Sequence, residues 1–106
     1  MTCRIVLTKE AQENLARVRN PVIREQLIKR IEVLTDNPET GKPLRGILGG
    51  YRSLRASRNR YRIVYRYFKE ESIVLVIAVE LRKGKDFGDV YRSLEQLVRQ
   101  RKGEDL

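Results

Sequence analysis

The side chains best suited to chemistry in this 106-residue chain are arginines, and they are not spread evenly. Between Gly41 and Phe68 stand eight basic residues, Lys42, Arg45, Arg52, Arg55, Arg58, Arg60, Arg62 and Arg66, with no Asp or Glu among them. That stretch holds +8 of the formal net charge of +9. Outside it, 15 basic residues face 14 acidic ones, the balance of an ordinary solvated surface. Seven of the eight are arginine, whose planar fork suits bidentate contact with phosphate and stacking on flat rings. A solvated strand face accounts for any one of these residues taken alone. Eight together, without a compensating acid, repel one another and read as a contact for a polyanion.

Other chemistries are poorly supplied. There is no histidine and only one cysteine, Cys3, so an internal disulfide is impossible and the usual zinc spacings are absent. Cys3 reads as a small apolar residue on a strand. Glu80, Asp86 and Asp89 match no cation-ligand spacing, so neither metal nor cofactor is expected. No apolar run reaches about 18 residues, and Met1 to Val6 lacks a charged segment followed by an apolar one. Neither a membrane span nor a signal peptide is therefore expected, and the reading is of a cytoplasmic protein. An apolar content of 41% in a chain this short supplies one modest core, so residues 1–106 are read as one domain.

The elements that must position the arginines follow from periodicity. Residues Arg4 to Thr8 are rich in β-branched types and read as a first strand, with Thr8 as a cap for the helix behind it. Ala11, Leu15 and Val18 recur at helical spacing until Asn20-Pro21 breaks the pattern. A second helix places Ile23, Leu27, Ile31 and Leu34 on one face, with Arg24, Lys29, Arg30 and Glu32 largely on the other. The segment from Glu39 to Gly50 reads as a loop. Three strands follow, Tyr51 to Ala56, Tyr61 to Tyr67 and Ile73 to Leu81, joined by turns short enough for antiparallel hairpins. The last is apolar on both faces and should lie inside the sheet, covered on each side. Val90, Leu94, Leu97 and Val98 suggest a C-terminal amphipathic helix. On the middle strand Tyr61, Tyr65 and Tyr67 share a parity with Ile63 and belong to the core, which leaves Arg62 and Arg66 on the other face. The expected fold is α+β: a strand and helical hairpin packed on a twisted, mostly antiparallel four-stranded sheet, with a C-terminal helix.

This order, β-α-α-β-β-β-α, resembles the RelE/ParE superfamily of toxins from type II toxin–antitoxin pairs, and local motifs carry the resemblance further. Lys42-Pro43-Leu44-Arg45-Gly46 is similar to the family's K-x-L-x-G segment. Tyr51-Arg52-Ser53-Leu54-Arg55 with Arg60-Tyr61-Arg62-Ile63-Val64-Tyr65 is similar to its central hairpin, and Val79-Glu80-Leu81-Arg82 with Asp89-Val90-Tyr91 to its closing strand and terminal tyrosine. The resemblance implies a ribosome-dependent endoribonuclease that cleaves messenger RNA, with Arg55, Arg62, Arg82 and Tyr91 as catalytic residues. Arg52 is the alternative to Arg55. Lys42, Arg45, Arg52, Arg58, Arg60 and Arg66 are then the RNA-binding residues, with the ribosome, mRNA and an acidic, partly disordered antitoxin as partners, the last in a hetero-oligomer.

Attack of a 2′-hydroxyl on the neighbouring phosphate needs loss of its proton, neutralisation of phosphate charge, and protonation of the leaving 5′-oxygen. Arginines can do the second, yet with pKa above about 12 they are poor bases. A tyrosine, with a reference pKa of about 10, could donate a proton or, among arginines, be drawn toward ionisation. Two other functions fit the same resemblance: a ParE-like inhibitor of DNA gyrase without enzymatic activity, and a non-toxic RNA- or ribosome-binding module.

Overall fold

Thr8 ends one element and begins the next. Its hydroxyl accepts the N–H of Ala11 at 3.1 Å, capping a helix, and donates to the carbonyl of Ile77 at 3.2 Å, tying that helix start to the last strand. A second helix begins at Asn20, whose side chain accepts from Val22 N at 2.9 Å and Ile23 N at 3.4 Å, with Pro21 in the first helical position. In the computed structural model, which describes residues 2–81, these caps start α1 (Lys9–Ala16) and α2 (Pro21–Glu32). A short 3-10 turn, Val33–Thr35, continues α2. The strands are β1 (Arg4–Leu7), β2 (Lys42–Pro43), β3 (Tyr51–Ala56), β4 (Tyr61–Phe68) and β5 (Ile73–Leu81). The C-terminal helix expected around Val90 to Val98 lies outside the described residues, as do Arg82 and Tyr91.

All five strands form one sheet in the order β1-β5-β4-β3-β2. β1 runs parallel to β5, and every other pairing is antiparallel, including the two hairpins expected between β3, β4 and β5. The fifth strand is the difference. β2 falls in the segment read as a loop, because two paired residues are too few to show the alternation by which strands are recognised.

The core lies on both sides of the central strands. Leu15, Leu27, Leu34, Leu54, Ile63, Tyr65 and Val76 pack between the helices and one sheet face. Leu48, Tyr51, Val64, Ile77 and Ala78 form a smaller cluster on the other. β5 supplies both faces, which is why its sequence is apolar throughout. An irregularity between β4 and β5 pairs Val64 with Ala78 but Tyr65 with Val76, so Ile77 has no opposite number. Such an extra residue sharpens the local twist. Val18 is buried as its spacing predicted, though α1 ends before it. Among the described residues no helix is long and apolar enough to cross a membrane.

Candidate nucleic-acid interface

Strand parity and register assemble the site. On β3 Ser53 and Arg55 share a face, opposite to that of Leu54 in the helix-side core. Arg62 of β4 is the register partner of Arg55, and Lys42 of β2 is the partner of Ser53. Lys42, Ser53, Arg55 and Arg62 therefore gather on the sheet face turned away from the helices. They line a cavity of about 340 Å³ together with Pro43, Leu44 and Arg45. A neighbouring cavity of about 290 Å³ shares Lys42, Ser53, Arg55 and Arg62 and adds Arg30, Thr40 and Leu54.

Among the described residues no acidic side chain lines either space, and five cations border the two: Arg30, Lys42, Arg45, Arg55 and Arg62. A concave surface of one sign concentrates anions. The nearest cross-strand acid in register is Glu80 of β5, opposite Arg62 on its other side. The apolar wall of Pro43 and Leu44 beside these charges offers a flat ring something to lie against.

Two members of this group were not singled out in the sequence. β2 is so short that, among the described residues, no strand lies alongside the β3 edge beyond Ser53, and Arg30 of α2 donates its Nε there to the carbonyl of Arg55 at 3.1 Å. Nothing local marks Arg30, since it sits among the charged residues on the outer side of an amphipathic helix. Ser53 is buried, and its Oγ accepts from Arg62 Nη1 at 3.3 Å. A small polar residue in the middle of a strand rich in larger ones was the available signal.

Of the ten residues proposed from the sequence, the fold brings Lys42, Arg45, Arg55 and Arg62 together and places four elsewhere. Arg52 points to the helix side, where its Nη1 donates to the carbonyls of Gly41 at 2.8 Å and Glu39 at 3.2 Å. Between the two alternatives for one position, Arg55 and not Arg52 shares the cavity with Arg62. Arg66 stacks its guanidinium over Phe68 at 4.9 Å and Tyr51 at 5.7 Å. Arg58 and Arg60 belong to the turn between β3 and β4, beside a space of about 170 Å³ shared with Ile23, Gln26 and Ser57. In that turn Ser57, Arg58 and Asn59 all hold positive φ, at 48°, 57° and 65°.

The approach to Lys42 is clamped from below. Tyr65 is fully buried, and its hydroxyl donates to Pro38 O at 2.7 Å while accepting Gly41 N–H at 2.8 Å. A Cβ at Gly41 would meet the Tyr65 oxygen at 2.7 Å, so only glycine fits there. Burial pushes the Tyr65 phenol above its ordinary pKa, outweighing the opposing hydrogen bond from Gly41 and the charge of Arg52.

A family model described as the ParE toxin of the type II toxin–antitoxin system, parDE, matches residues 5–85. Among solved structures, the toxin–antitoxin complex RelBE2 from Mycobacterium tuberculosis contains a chain 30% identical to this one, with a TM-score of 0.68 over 77% of this chain and 93% of that one. A mutant of the E. coli toxin RelE in the free state superposes with a TM-score of 0.68 at 24% identity, covering 87% of this chain and 93% of that one. The archaeal RelE–RelB complex from Pyrococcus horikoshii gives 0.61 at 20% identity, over 81% of this chain and all of that one. These last two likenesses concern the fold. No curated protein sequence matches significantly. A model spanning most of the chain and a 30% identical relative of the same architecture establish the lineage, and the chain belongs to the RelE/ParE superfamily of type II toxin–antitoxin toxins.

Proposed function

We propose that this toxin is a ribosome-dependent endoribonuclease that cleaves messenger RNA and so stops translation. The observation that carries this reading is the in-register pair Arg55 and Arg62, sharing one cavity with Lys42 and Arg45. In the proposed step the 2′-hydroxyl gives up its proton and its oxygen forms a bond to the adjacent phosphorus as the bond from phosphorus to the 5′-oxygen breaks. The products are a 2′,3′-cyclic phosphate and a 5′-hydroxyl, which receives the proton that replaces the lost bond. Arg62, with Arg82, holds the scissile phosphate; Arg55 and Arg45 hold the flanking backbone; Tyr91 stacks on a base or moves a proton. The roles of Arg82 and Tyr91 rest on the family resemblance of their positions.

Arginines stabilise charge but cannot serve as bases near neutral pH, so the set is weak by itself. Alignment of the RNA must then supply much of the rate, and orientation can lower a barrier by ~7–11 kcal/mol. The ribosome is proposed to provide that alignment. The deciding experiment presents purified toxin with free messenger RNA and with translating ribosomes. Cleavage confined to the ribosome-bound message is expected, and equal cleavage of both would remove the ribosome from the mechanism.

A second reading has one specific observation in its favour, the ParE description of the matching family model. On that reading the toxin inhibits DNA gyrase without cutting anything. Cells exposed to it would accumulate broken DNA while keeping intact transcripts, the reverse of what a nuclease does. On either reading we propose an antitoxin partner, in keeping with the RelB-containing complexes among the similar structures. An acidic segment that folds on binding would fit the cation-lined cavity.

A further inference from the structure

We propose that Ser53 is the positioning residue for Arg62: its hydroxyl fixes the guanidinium in the orientation that meets the phosphate. The inference rests on the nuclease reading above. Apart from the tyrosines, the buried hydroxyl side chains among the described residues are Thr8 and Ser53, at 7% and 4% exposure. A buried hydroxyl is retained only where hydrogen bonds offset its loss of water. Thr8 is accounted for by its helix cap and its bond to Ile77. Ser53 caps nothing. Its Oγ receives Arg62 Nη1 at 3.3 Å, and the residue sits in register between Lys42 and Val64 on the face that lines both cavities.

The geometry explains what the hydroxyl contributes. A long arginine side chain loses rotamer freedom when it is fixed, and Arg62 is in register with a second arginine, Arg55, of like charge. The bond to Ser53 gives Arg62 a fixed partner on β3, the strand that carries Arg55. A neutral acceptor on that strand orients the guanidinium without adding a negative charge to the face that lines the cavities. A carboxylate in that place would neutralise the charge, and an apolar residue would not bond it. Serine satisfies both conditions at the smallest volume.

The test compares Ser53→Ala with Ser53→Thr in the full-length toxin. In single-turnover cleavage of ribosome-bound message, Ser53→Ala is expected to lower the rate by between about 10- and 100-fold, the size of effect that small misplacements produce, with little change in KM. Ser53→Thr keeps the hydroxyl and should recover most of the rate. In an Arg62→Ala background, Ser53→Ala should have no further effect, because it acts through a side chain no longer present. A second measurement is independent of activity: NMR of the arginine guanidinium groups in the free toxin should find the Arg62 group restrained in wild type and in Ser53→Thr, and released in Ser53→Ala. If Arg62 rotates as freely in wild type as in Ser53→Ala, the proposal is overturned, whatever the cleavage assay gives. If the restraint is lost yet Ser53→Ala cleaves at the wild-type rate, Ser53 does not position the reaction. A wild-type protein that cleaves nothing on the ribosome would sink the nuclease reading, and with it the positioning role, leaving the NMR result to report only a structural bond.

Discussion

Arg55 and Arg62 face each other directly across the ladder of β3 and β4, two like charges in one register position on the same face of the sheet. Such a pair destabilises a sheet relative to neutral neighbours, by the roughly 0.2–1 kcal/mol typical of cross-strand pairs. Glu80 of β5 stands in register with Arg62 on its other flank, so Arg62 lies between a like charge and an opposite one.

Replacing Arg55 with Thr should therefore raise stability while weakening RNA binding. Chemical denaturation is expected to show a gain of up to about 1 kcal/mol, since Thr also suits a strand better. RNA binding should lose affinity, and its dependence on salt should become shallower by about one unit of slope. Arg52→Ala gives the opposite pair of results. It removes the bonds to Gly41 and Glu39, lowers stability and leaves the salt slope unchanged. Identical slopes for the two variants would show that Arg55 does not meet phosphate.

Arg62 and Arg66 lie on the same strand and the same face, yet should behave differently. Arg62→Ala is expected to abolish toxicity in cells without unfolding the domain. Arg66 is stacked on Phe68 and Tyr51, so Arg66→Ala should cost about 0.5–1 kcal/mol of stability and leave toxicity intact. A growth assay with parallel thermal melts checks both. A folded, fully toxic Arg62→Ala variant would take Arg62 out of the site.

Tyr65 predicts a response to alkali. Its pKa is raised in the folded protein, chiefly by burial, so the folded state holds the phenolic proton more tightly than the unfolded chain does. The stability this provides is complete below the unfolded value of about 10 and is lost as pH rises through the folded one. Tyr65→Phe removes the bonds to Pro38 and Gly41 and should cost about 1–3 kcal/mol near neutral pH. The stability gap between wild type and Tyr65→Phe should then narrow above about pH 10. A gap that stays constant through that range would contradict the assignment.

The turn at the tip of the hairpin should tolerate glycine unusually well. Arg58 sits at φ 57° between two other left-handed residues, and such a conformation costs a non-glycine side chain on the order of 1 kcal/mol. Arg58→Gly is expected to raise the midpoint of thermal unfolding. Because Arg58 lies away from the cavity shared by Arg55 and Arg62, cleavage should fall far less than in Arg62→Ala.

Much of this molecule is written in local pattern. Thr8 caps the helix that its position announces, Pro21 opens the second helix, Leu27, Ile31 and Leu34 are buried as their spacing requires, and β3 and β5 have the limits expected of them. The acid-free basic block and the hairpin motif pointed to the family. These features are short-range: a cap, a helical stripe or a strand depends on residues a few positions apart. Which arginines meet was a different matter. Parity separates Arg52 from Arg55, but only the packing of α1 and α2 decides which parity is covered, and only the register across the Ser57–Arg60 turn sets Arg55 against Arg62 and not against a neighbour. Lys42, Arg30 and Ser53 join them from segments up to 32 residues away from Arg62. A one-residue slip in pairing would send these side chains to the opposite face. The site is thus decided by pairing between distant segments, and that information resides in no stretch of the sequence by itself.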